Sequence, residues 1–355
     1  MINLCEPYLT GNEWQYVEDC LDTRMLAIGR YIELFEEAIA IYTEAEYAVA
    51  TSSGTAALHI SLLVCGIKPS DLVMIPDLTF VATSNAVKYV NAHALLIDVD
   101  DNWQMDLDLL EQEVKRYKPK AVIIVHLLGS MCDMQRLLSI CNKHSVKLIE
   151  DAAGALGSFQ GKDVGSFKHA GTIGDVGCIS FNGNKIITAG NGGMIITNDK
   201  ELANKVRHLI NQAKGKDFYH DEVGYNYRIS NIHAAIGLAQ FENLSAVLLK
   251  KRKIFELYDK LLEGIKKPAF NGNNWQYAIT VKNRDSLINR LANAHIQASP
   301  VWQPLHTLPM YEMHASLKNS KKISDSSLFL PSHPNLKDSE IEHICKTIND
   351  FDKKN

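Results

Sequence analysis

Short β-branched runs alternate with amphipathic segments from about Val49 to Thr197. The runs predict four buried parallel strands: VMIP (73–76), ALLIDV (94–99), AVIIVH (121–126) and VKLIED (146–151). The segments between them predict helices: TFVATSNAVKYV, MDLDLLEQEVKRY and DMQRLLSICNKH, the last with Asp133 as its N-cap. Such alternation predicts a doubly wound α/β sheet, in which ligands bind beyond the carboxyl ends of the strands.

The pattern changes after this region. GCISF (177–181) and GGMIIT (192–197) are short, apolar and punctuated by glycine, which predicts an antiparallel edge of the sheet. A long helical pattern then runs from Asn231 to about Leu262.

A smaller unit begins after PAFNGNN (268–274). It contains a strand in WQYAITV, a helix through SLINRLANAHI, the segment QASPVW and a final helix from Ser339 to Phe351. We therefore expect an N-terminal and large domain at residues 1–245 and a small C-terminal α/β domain at residues 246–355, joined by the long helix.

Composition narrows the class of protein. The chain has 355 residues, of which 46% are hydrophobic and 22% are charged, and its formal net charge is −4. Because it has no basic block, nothing in it favours binding to nucleic acid or to an anionic membrane. It shows no signal pattern and no apolar run that could span a bilayer, so we expect a cytoplasmic protein. The seven cysteines lack metal-ligand spacing, so we expect reduced thiols and no bound metal.

The stretch ATSSGTAALH (50–59) predicts a small-residue turn that leads into a helix. Exposed N–H groups and the helix dipole at such a turn hold a phosphate, and Gly54 lets the anion approach the backbone. A capped helix with nothing bound is an equally common explanation of the pattern.

Two further side chains suggest a cofactor. Asp151 ends a predicted strand, where a carboxylate keeps a heterocyclic nitrogen protonated, although in isolation a helix N-cap or turn aspartate is the somewhat favoured explanation. Lys185 lies alone in a glycine-rich loop, where the alternative is a solvated lysine. A phosphate site, an acid and an amine are the parts that a pyridoxal phosphate (PLP) site needs. Burial would lower the pKa of the amine enough for imine chemistry.

The motifs of the chain together resemble the DegT/DnrJ/EryC1/StrS family of sugar-nucleotide aminotransferases over nearly its whole length. They are SGTAAL (53–58), LTFVAT (78–83), VHLLG (125–129), EDAAGALGS (150–158), SFNGNKIITAGNGG (180–193), GYNYRISNIHAAIGLAQ (224–240), PLHTLPMY (304–311) and LPSHPNL (330–336). The resemblance implies the aspartate aminotransferase fold (fold type I), with a mostly parallel sheet in the large domain. It also implies PLP as cofactor and homodimers with shared active sites.

The resemblance also implies roles for single residues of the cofactor site. Lys185 would be the Schiff-base lysine and the proton shuttle, and Asp151 would pair with the pyridine nitrogen. The phosphate would be held by backbone groups of Gly54 and Thr55 and by the hydroxyl of Ser180.

Four more residues receive roles in the same way. Phe80 would stack on the cofactor ring, and Asn226 would reach the phosphate of the neighbouring subunit. Arg228 and His306 fall in segments that line the substrate cleft. From composition alone, the segment with Asn226 and Arg228 is only a polar loop before a helix.

The chain departs from the family pattern at two positions. Gly154 stands where the family commonly carries Gln or His beside the pyridine ring, which leaves a gap for substrate, water or another side chain to fill. Asn191 stands in AGNGG where the family often has an acidic residue.

The family reaction moves an amino group from L-glutamate to a keto-sugar nucleotide. Lysine at position 185 argues against the branch that dehydrates sugars with a histidine there. SFNGNKIIT (180–188) resembles members that aminate C4 of UDP-linked 4-keto-6-deoxy-N-acetylhexosamines, on routes to bacillosamine-type or legionaminic-type surface sugars. A dTDP-linked or GDP-linked 4-keto sugar, a C3 keto sugar and an 8-keto octulosonate remain alternatives.

Two other classes of protein fit the chain less well. A non-catalytic sensor with this fold would need an added basic DNA-binding module, for which the acidic chain has no room. A nicotinamide-dependent oxidoreductase would need GxGxxG after its first strand, and that run does not occur.

Overall fold

The computed structural model describes residues 1–161, 167–311 and 317–352. Its strands are β1 (Tyr47–Thr51), β2 (Leu72–Pro76), β3 (His93–Ile97), β4 (Ala121–Val125), β5 (Lys147–Asp151), β6 (Phe159–Gln160), β7 (Lys168–His169), β8 (Val176–Ser180), β9 (Gly193–Thr197), β10 (Tyr277–Thr280), β11 (Ser299–Pro300) and β12 (Ser327–Leu330). Seven of them form one mostly parallel sheet in the order β1-β9-β8-β5-β4-β2-β3. The α/β class with a mostly parallel sheet is confirmed.

Helices cover the sheet and build the C-terminal part of the chain. They are α1 (Glu13–Asp22), α2 (Arg30–Thr43), α3 (Gly54–Val64), α4 (Ala82–Tyr89), α5 (Leu107–Tyr117), α6 (Met134–His144), α7 (Lys200–Ile210), α8 (Asn231–Glu242), α9 (Leu244–Leu261), α10 (Arg284–Asn293), α11 (Lys318–Ser326) and α12 (Asp338–Asp352). The predicted N-cap of α6 is confirmed, because Asp133 accepts a 3.0 Å hydrogen bond from the Arg136 N–H.

The four predicted parallel strands form one side of the sheet, in the order β5-β4-β2-β3. In the register of β4 and β5, Val125 lies opposite Asp151, so the carboxyl ends of both strands reach the same edge. Strand β8 continues the parallel arrangement beside β5. Side chains at the carboxyl ends of these strands therefore lie close together.

The predicted antiparallel edge is half right. Strands β8 and β9 pair antiparallel, with Ser180 opposite Gly193. They do not form the edge, because β1 pairs with the other side of β9. Every residue of β9 is buried. A strand buried in this way needs backbone partners on both sides, and the sequence analysis did not identify the short strand YAVAT that supplies one of them.

The predicted long helix from 231 to 262 is two helices. Helices α8 and α9 meet at Asn243 at an angle of 61°. Asn243 has φ −100° and ψ 5°, and its side-chain amide donates to the Ala239 carbonyl at 3.4 Å. An asparagine that bonds to the preceding turn competes with the helical hydrogen bonds, which explains the break.

Helix α9 contacts both the sheet region and the C-terminal unit. Leu244 and Val247 pack in the core beside the large sheet, whereas Phe255 and Tyr258 pack in the C-terminal core. That second core is covered by the antiparallel sheet β10-β12-β11. The division at residue 245 stays a prediction.

Within the described ranges, no single helix is both long enough and apolar enough to cross a membrane. The bent α8–α9 pair meets that criterion of length and composition only when its two helices are counted together.

Candidate active site

A cavity of about 220 Å³ lies at the carboxyl ends of β4, β5 and β8. Its wall contains most of the residues predicted to bind the cofactor: Gly54, Thr55, Phe80, Asp151, Ser180 and Lys185. The structure therefore brings together residues that are dispersed along the sequence. Asn226, Arg228 and His306 do not line this cavity within one chain.

The start of α3 forms one wall of the cavity. The helix begins at Gly54, and the Ser53 hydroxyl caps it by accepting a 3.1 Å hydrogen bond from the Ala56 N–H. The N–H groups of Gly54 and Thr55 belong to the first turn, where no acceptor is available within the helix. A Cβ on Gly54 would lie 2.8 Å from the Ser180 Cβ, so only glycine allows this approach. The two N–H groups and the Ser180 hydroxyl together have the chemistry that an anion site requires.

Asp151 lies at the floor of the cavity and is 5% exposed. Its Oδ2 accepts a 2.8 Å hydrogen bond from the Thr83 hydroxyl, and its Oδ1 accepts a 3.2 Å bond from the Ala153 N–H. Burial raises the pKa of this carboxyl, while the two hydrogen bonds and the charge of Lys185 oppose the rise. Within the described ranges no salt bridge to Asp151 is formed, and the charge of Lys185 acts on it without one. A protonated ring nitrogen would offset the cost of this buried charge.

Lys185 follows the turn after β8 and is half-buried. Burial of its amine lowers the pKa to about 8, although the charges of Asp151 and Cys5 act in the opposite direction. The amine Nζ lies 3.8 Å from the centroid of the Trp275 ring. A lysine with this pKa is partly neutral near physiological pH and is therefore a usable nucleophile.

A buried histidine–carboxylate pair lies beneath the cavity, and the sequence analysis assigned it no role. His126 Nε2 is 2.8 Å from Glu150 Oε2, and neither side chain is exposed. Burial alone would raise the pKa of Glu150, but hydrogen bonds from His126 and from backbone N–H groups outweigh it and hold the pKa low. His126 lines the cavity, and its Nδ1 has no hydrogen-bond partner there. The sequence position of His126 could have indicated this site, because the residue follows β4, which lies beside the strand that ends in Asp151.

Trp275 fills the gap expected at Gly154. A Cβ on Gly154 would lie 2.3 Å from Cε3 of the indole. Trp302 lines the same cavity, and its ring centroid is 6.3 Å from that of Trp275. Sequence reasoning missed both tryptophans because nothing local marks them as part of the site. Asn191 also lines the cavity, and its contacts do not explain why it replaces an acidic residue.

The segment around Asn226 passes beside the anion site without entering the cavity. The Tyr227 carbonyl accepts a 2.7 Å hydrogen bond from the Ser52 N–H. Asn226 is exposed and forms a β-bridge with Asn211. Arg228 lies in a separate groove, with its guanidinium 3.5 Å from the Asn211 side-chain oxygen. The roles of Asn226 and Arg228 stay predictions.

His306 is anchored at the end of β2. Its Nδ1 lies 2.7 Å from Oδ2 of the buried Asp77, and its backbone N–H donates to Oδ1 at 2.9 Å. It lines an open groove with three lysines of α11, Lys318, Lys321 and Lys322, rather than the cavity. Its contact with substrate stays a prediction.

The sequence matches the model of the DegT/DnrJ/EryC1/StrS aminotransferase family over residues 7–349. The chain belongs to that family. It is 39% identical to the GDP-perosamine synthase of Escherichia coli O157:H7, over 99% of this chain and 98% of that protein. It is 33% identical to a UDP-N-acetyl-3-dehydro-alpha-D-glucosamine 3-aminotransferase of Acidithiobacillus ferrooxidans, over 92% of this chain and 90% of that protein. A solved DegT DnrJ EryC1 StrS aminotransferase from Brucella abortus has a TM-score of 0.91 and 28% identity, covering 96% of this chain and 95% of that one.

As a member of the DegT/DnrJ/EryC1/StrS family, the chain is a PLP-dependent transaminase. Its cavity fits that cofactor. The N–H groups at the start of α3, where only glycine fits at position 54, suit a phosphate. Asp151 is a buried acid on which the charge of Lys185 acts, and the Lys185 amine lines the same cavity with a lowered pKa. The expected enzyme class and cofactor are confirmed.

Proposed function

We propose that this enzyme transfers the amino group of L-glutamate to a keto sugar carried by a nucleoside diphosphate. The main support is the 39% identity, over 99% of the chain, to an enzyme named for an amino sugar linked to GDP. The second relative, named for a UDP-linked dehydro sugar, supports the same substrate class.

In this proposal Lys185 is the covalent attachment point of the cofactor and the group that moves protons. PLP, when bound, supplies a ring that withdraws electrons from the carbon bearing the amino group. The Lys185 amine moves a proton between the substrate carbon and the C4′ carbon of the cofactor. Its pKa of about 8 suits both directions, because the amine gains and loses a proton at small cost near neutral pH.

The other cavity residues hold and orient the cofactor. Asp151 pairs with the ring nitrogen, and Phe80, which is 56% exposed, covers a face of the ring. The N–H groups of Gly54 and Thr55, together with the Ser180 hydroxyl, hold the phosphate.

We infer that the active site is completed in a homodimer. Asn226 is exposed and outside the cavity of its own chain, as expected for a side chain that serves the neighbouring subunit. Arg228 and His306 are proposed to contact the sugar nucleotide at the mouth of the cleft. Both are half-buried and retain surface on which to bind.

Two substrates fit this proposal. A GDP-linked 4-keto sugar comes first, because the relative named for GDP-perosamine has the higher identity of the two described above. A UDP-linked 4-keto-6-deoxy-N-acetylhexosamine comes second, favoured by the loop SFNGNKIIT. Amination at C3 is the further alternative, since the other relative is named as a 3-aminotransferase.

In the test, purified enzyme, PLP and L-glutamate are incubated with one sugar nucleotide at a time. The sugar nucleotides are GDP-, UDP- and dTDP-linked 4-keto-6-deoxy sugars and a UDP-linked 3-keto sugar. Formation of 2-oxoglutarate measures the donor half of the reaction, and NMR of the product identifies the aminated carbon. Lys185→Ala is the matched control and should give no product. The absence of 2-oxoglutarate with every sugar nucleotide would contradict the proposal.

A further inference from the structure

Gly154 is a glycine for reasons of space. It follows β5 three positions after Asp151, and its φ lies outside the left-handed region that favours glycine. A Cβ there would lie 2.3 Å from Cε3, 2.7 Å from Cζ3 and 3.1 Å from Cδ2 of Trp275. These are atoms of a rigid ring that is 8% exposed, so the ring has little room to move away.

Trp275 is held in this place from both ends. Its indole N–H donates a 2.8 Å hydrogen bond to the Asn184 carbonyl. Its own carbonyl accepts a 2.6 Å bond from the amine of the buried Lys251. Two residues before it, the Asn273 amide donates to the Gly154 carbonyl at 2.8 Å. The segment that precedes β10 is therefore fastened to the turn after β5.

The bond to Asn184 has a direct effect on Lys185. The Asn184 carbonyl and the Lys185 N–H belong to one planar peptide group. Trp275 holds the oxygen of this group, and the Asn182 carbonyl accepts from its N–H at 3.0 Å. With both ends fixed, the direction in which the Lys185 side chain leaves the backbone is fixed as well.

The indole also covers the amine. Lys185 Nζ is 3.8 Å from the ring centroid, a contact that excludes water from one side of the amine. The titratable groups that act on the amine are Asp151 from β5 and Cys5 from the N-terminal segment. Three others, Glu6, Lys251 and His333, line a small pocket that Trp275 and Lys185 also line.

We propose that Trp275 is a positioning residue for Lys185, and that its indole takes the place of a side chain at position 154. It fixes the peptide group before Lys185 and shields the amine from water. This inference rests on the proposed function for the use of the lysine in transamination, but the contacts themselves do not depend on it.

The test measures the Lys185 amine in enzyme freed of cofactor. Lysines are acetylated over a range of pH, and the extent of reaction at each one is read by mass spectrometry. In the native protein the reaction at Lys185 should rise with a midpoint near pH 8. In Trp275→Ala water reaches the amine, so the midpoint should rise by about one pH unit or more, a tenfold loss of neutral amine at pH 7.

Two further variants separate positioning from general packing. Trp275→Phe keeps an aromatic ring but loses the N–H donor, and it should shift the midpoint less than Trp275→Ala does. As a single substitution, Gly154→Ala should shift the midpoint. In the Trp275→Ala background it should add little to the shift, because its Cβ meets no ring there. Trp14→Phe, at an 83% exposed tryptophan, is the control and should match the native protein.

The outcomes are distinct for the two proposals. A Lys185 midpoint that is unchanged in folded Trp275→Ala and Trp275→Phe would overturn the positioning role, whatever the catalytic activity. Where Trp275→Ala fails to fold, Trp275→Phe and Gly154→Ala decide by the same measurement. If no sugar nucleotide yields 2-oxoglutarate, the proposed function fails, while the acetylation result still stands.

Discussion

The hydroxyl of Thr83 donates a 2.8 Å hydrogen bond to Oδ2 of Asp151. Thr83 is fully buried in α4, and its oxygen is also 3.1 Å from the Thr79 hydroxyl. The bond therefore links the position of α4 to the acid at the end of β5. It is one of the interactions that oppose the rise in the pKa of Asp151.

Thr83→Val should weaken cofactor binding, because a carboxylate that loses this donor is harder to keep ionised. A hydrogen bond to a charged group contributes about 1.5–3 kcal/mol, so the Kd for PLP should rise roughly 10- to 100-fold. Thr83→Ser keeps the hydroxyl and is the matched control. Titration of cofactor-free protein with PLP measures both, and an unchanged Kd in the valine variant would remove Thr83 from this role.

Asp151→Asn should keep the fold and lose most of the transaminase activity. The amide is nearly the same size, but it carries no charge with which to hold the ring nitrogen protonated. Circular dichroism checks the fold, and release of 2-oxoglutarate from glutamate measures the activity. Near-native turnover would show that Asp151 does not act on the ring nitrogen.

Borohydride reduction of the holoenzyme should attach the cofactor to a single peptide, the one that contains Lys185. Lys185 lines the cavity that also contains Asp151, whereas the amine of the buried Lys251 is held by the carbonyls of Trp275 and Ser332. Lys185→Ala should still bind PLP, but without covalent attachment and without turnover. Labelling at Lys251 instead would show that the two roles are reversed.

The buried Lys251 and the half-buried Lys185 should make the protein without cofactor more stable as pH rises. Burial lowers the pKa of Lys251 to about 7 and that of Lys185 to about 8. Between these values and the ordinary value near 10.4, the unfolded chain binds more protons than the folded one, so stability increases with pH. Well below pH 7 both amines are charged in the folded and in the unfolded state. The contribution of these two lysines to the pH dependence of stability then disappears.

Lys251→Met should therefore reduce the rise in Tm between pH 7 and pH 9.5. Lys253→Met removes an exposed lysine of the same helix and should leave the rise unchanged. Thermal unfolding of the three proteins across this range is the measurement. A Lys251→Met profile parallel to that of the native protein would show that Lys251 keeps an ordinary pKa.

Two inactive variants, Lys185→Ala and Asn226→Asp, should restore activity when their subunits exchange. If Asn226 serves the partner's site, each heterodimer has one site with both changes and one with neither. At full exchange about one quarter of all sites should be native. Activity and native mass spectrometry measure recovery and exchange.

The control mixture combines Lys185→Ala with Asp151→Asn. Both residues line one cavity of one chain, so each heterodimer site carries one lesion and activity should stay absent. Recovery in neither mixture, despite proven exchange, would mean that Asn226 acts within its own chain.

The sequence predicted the parallel strands β2 to β5 and the meeting of Asp151 with Lys185 because both depend on local pattern and on the geometry of parallel strands. The break at Asn243 was missed because the apolar pattern continues through it, and one side-chain bond decides the geometry. The partner of Gly154 was missed for a different reason. A gap is visible in one stretch of sequence, but the residue that fills it comes from a distant segment and is fixed only by the tertiary fold.

The position of β1 has a consequence for the order in which the protein is made. Among the described strands, β1 pairs with β9, whose last residue is Thr197. Ribosomes add about 5–20 residues per second, so β1 waits on the order of ten seconds for its partner. A Cβ on Gly193 in β9 would lie 2.5 Å from the Ser53 backbone, so β9 also supports the turn that begins α3. The turn that we propose to hold the cofactor phosphate therefore gains this support only after more than half of the chain has been translated.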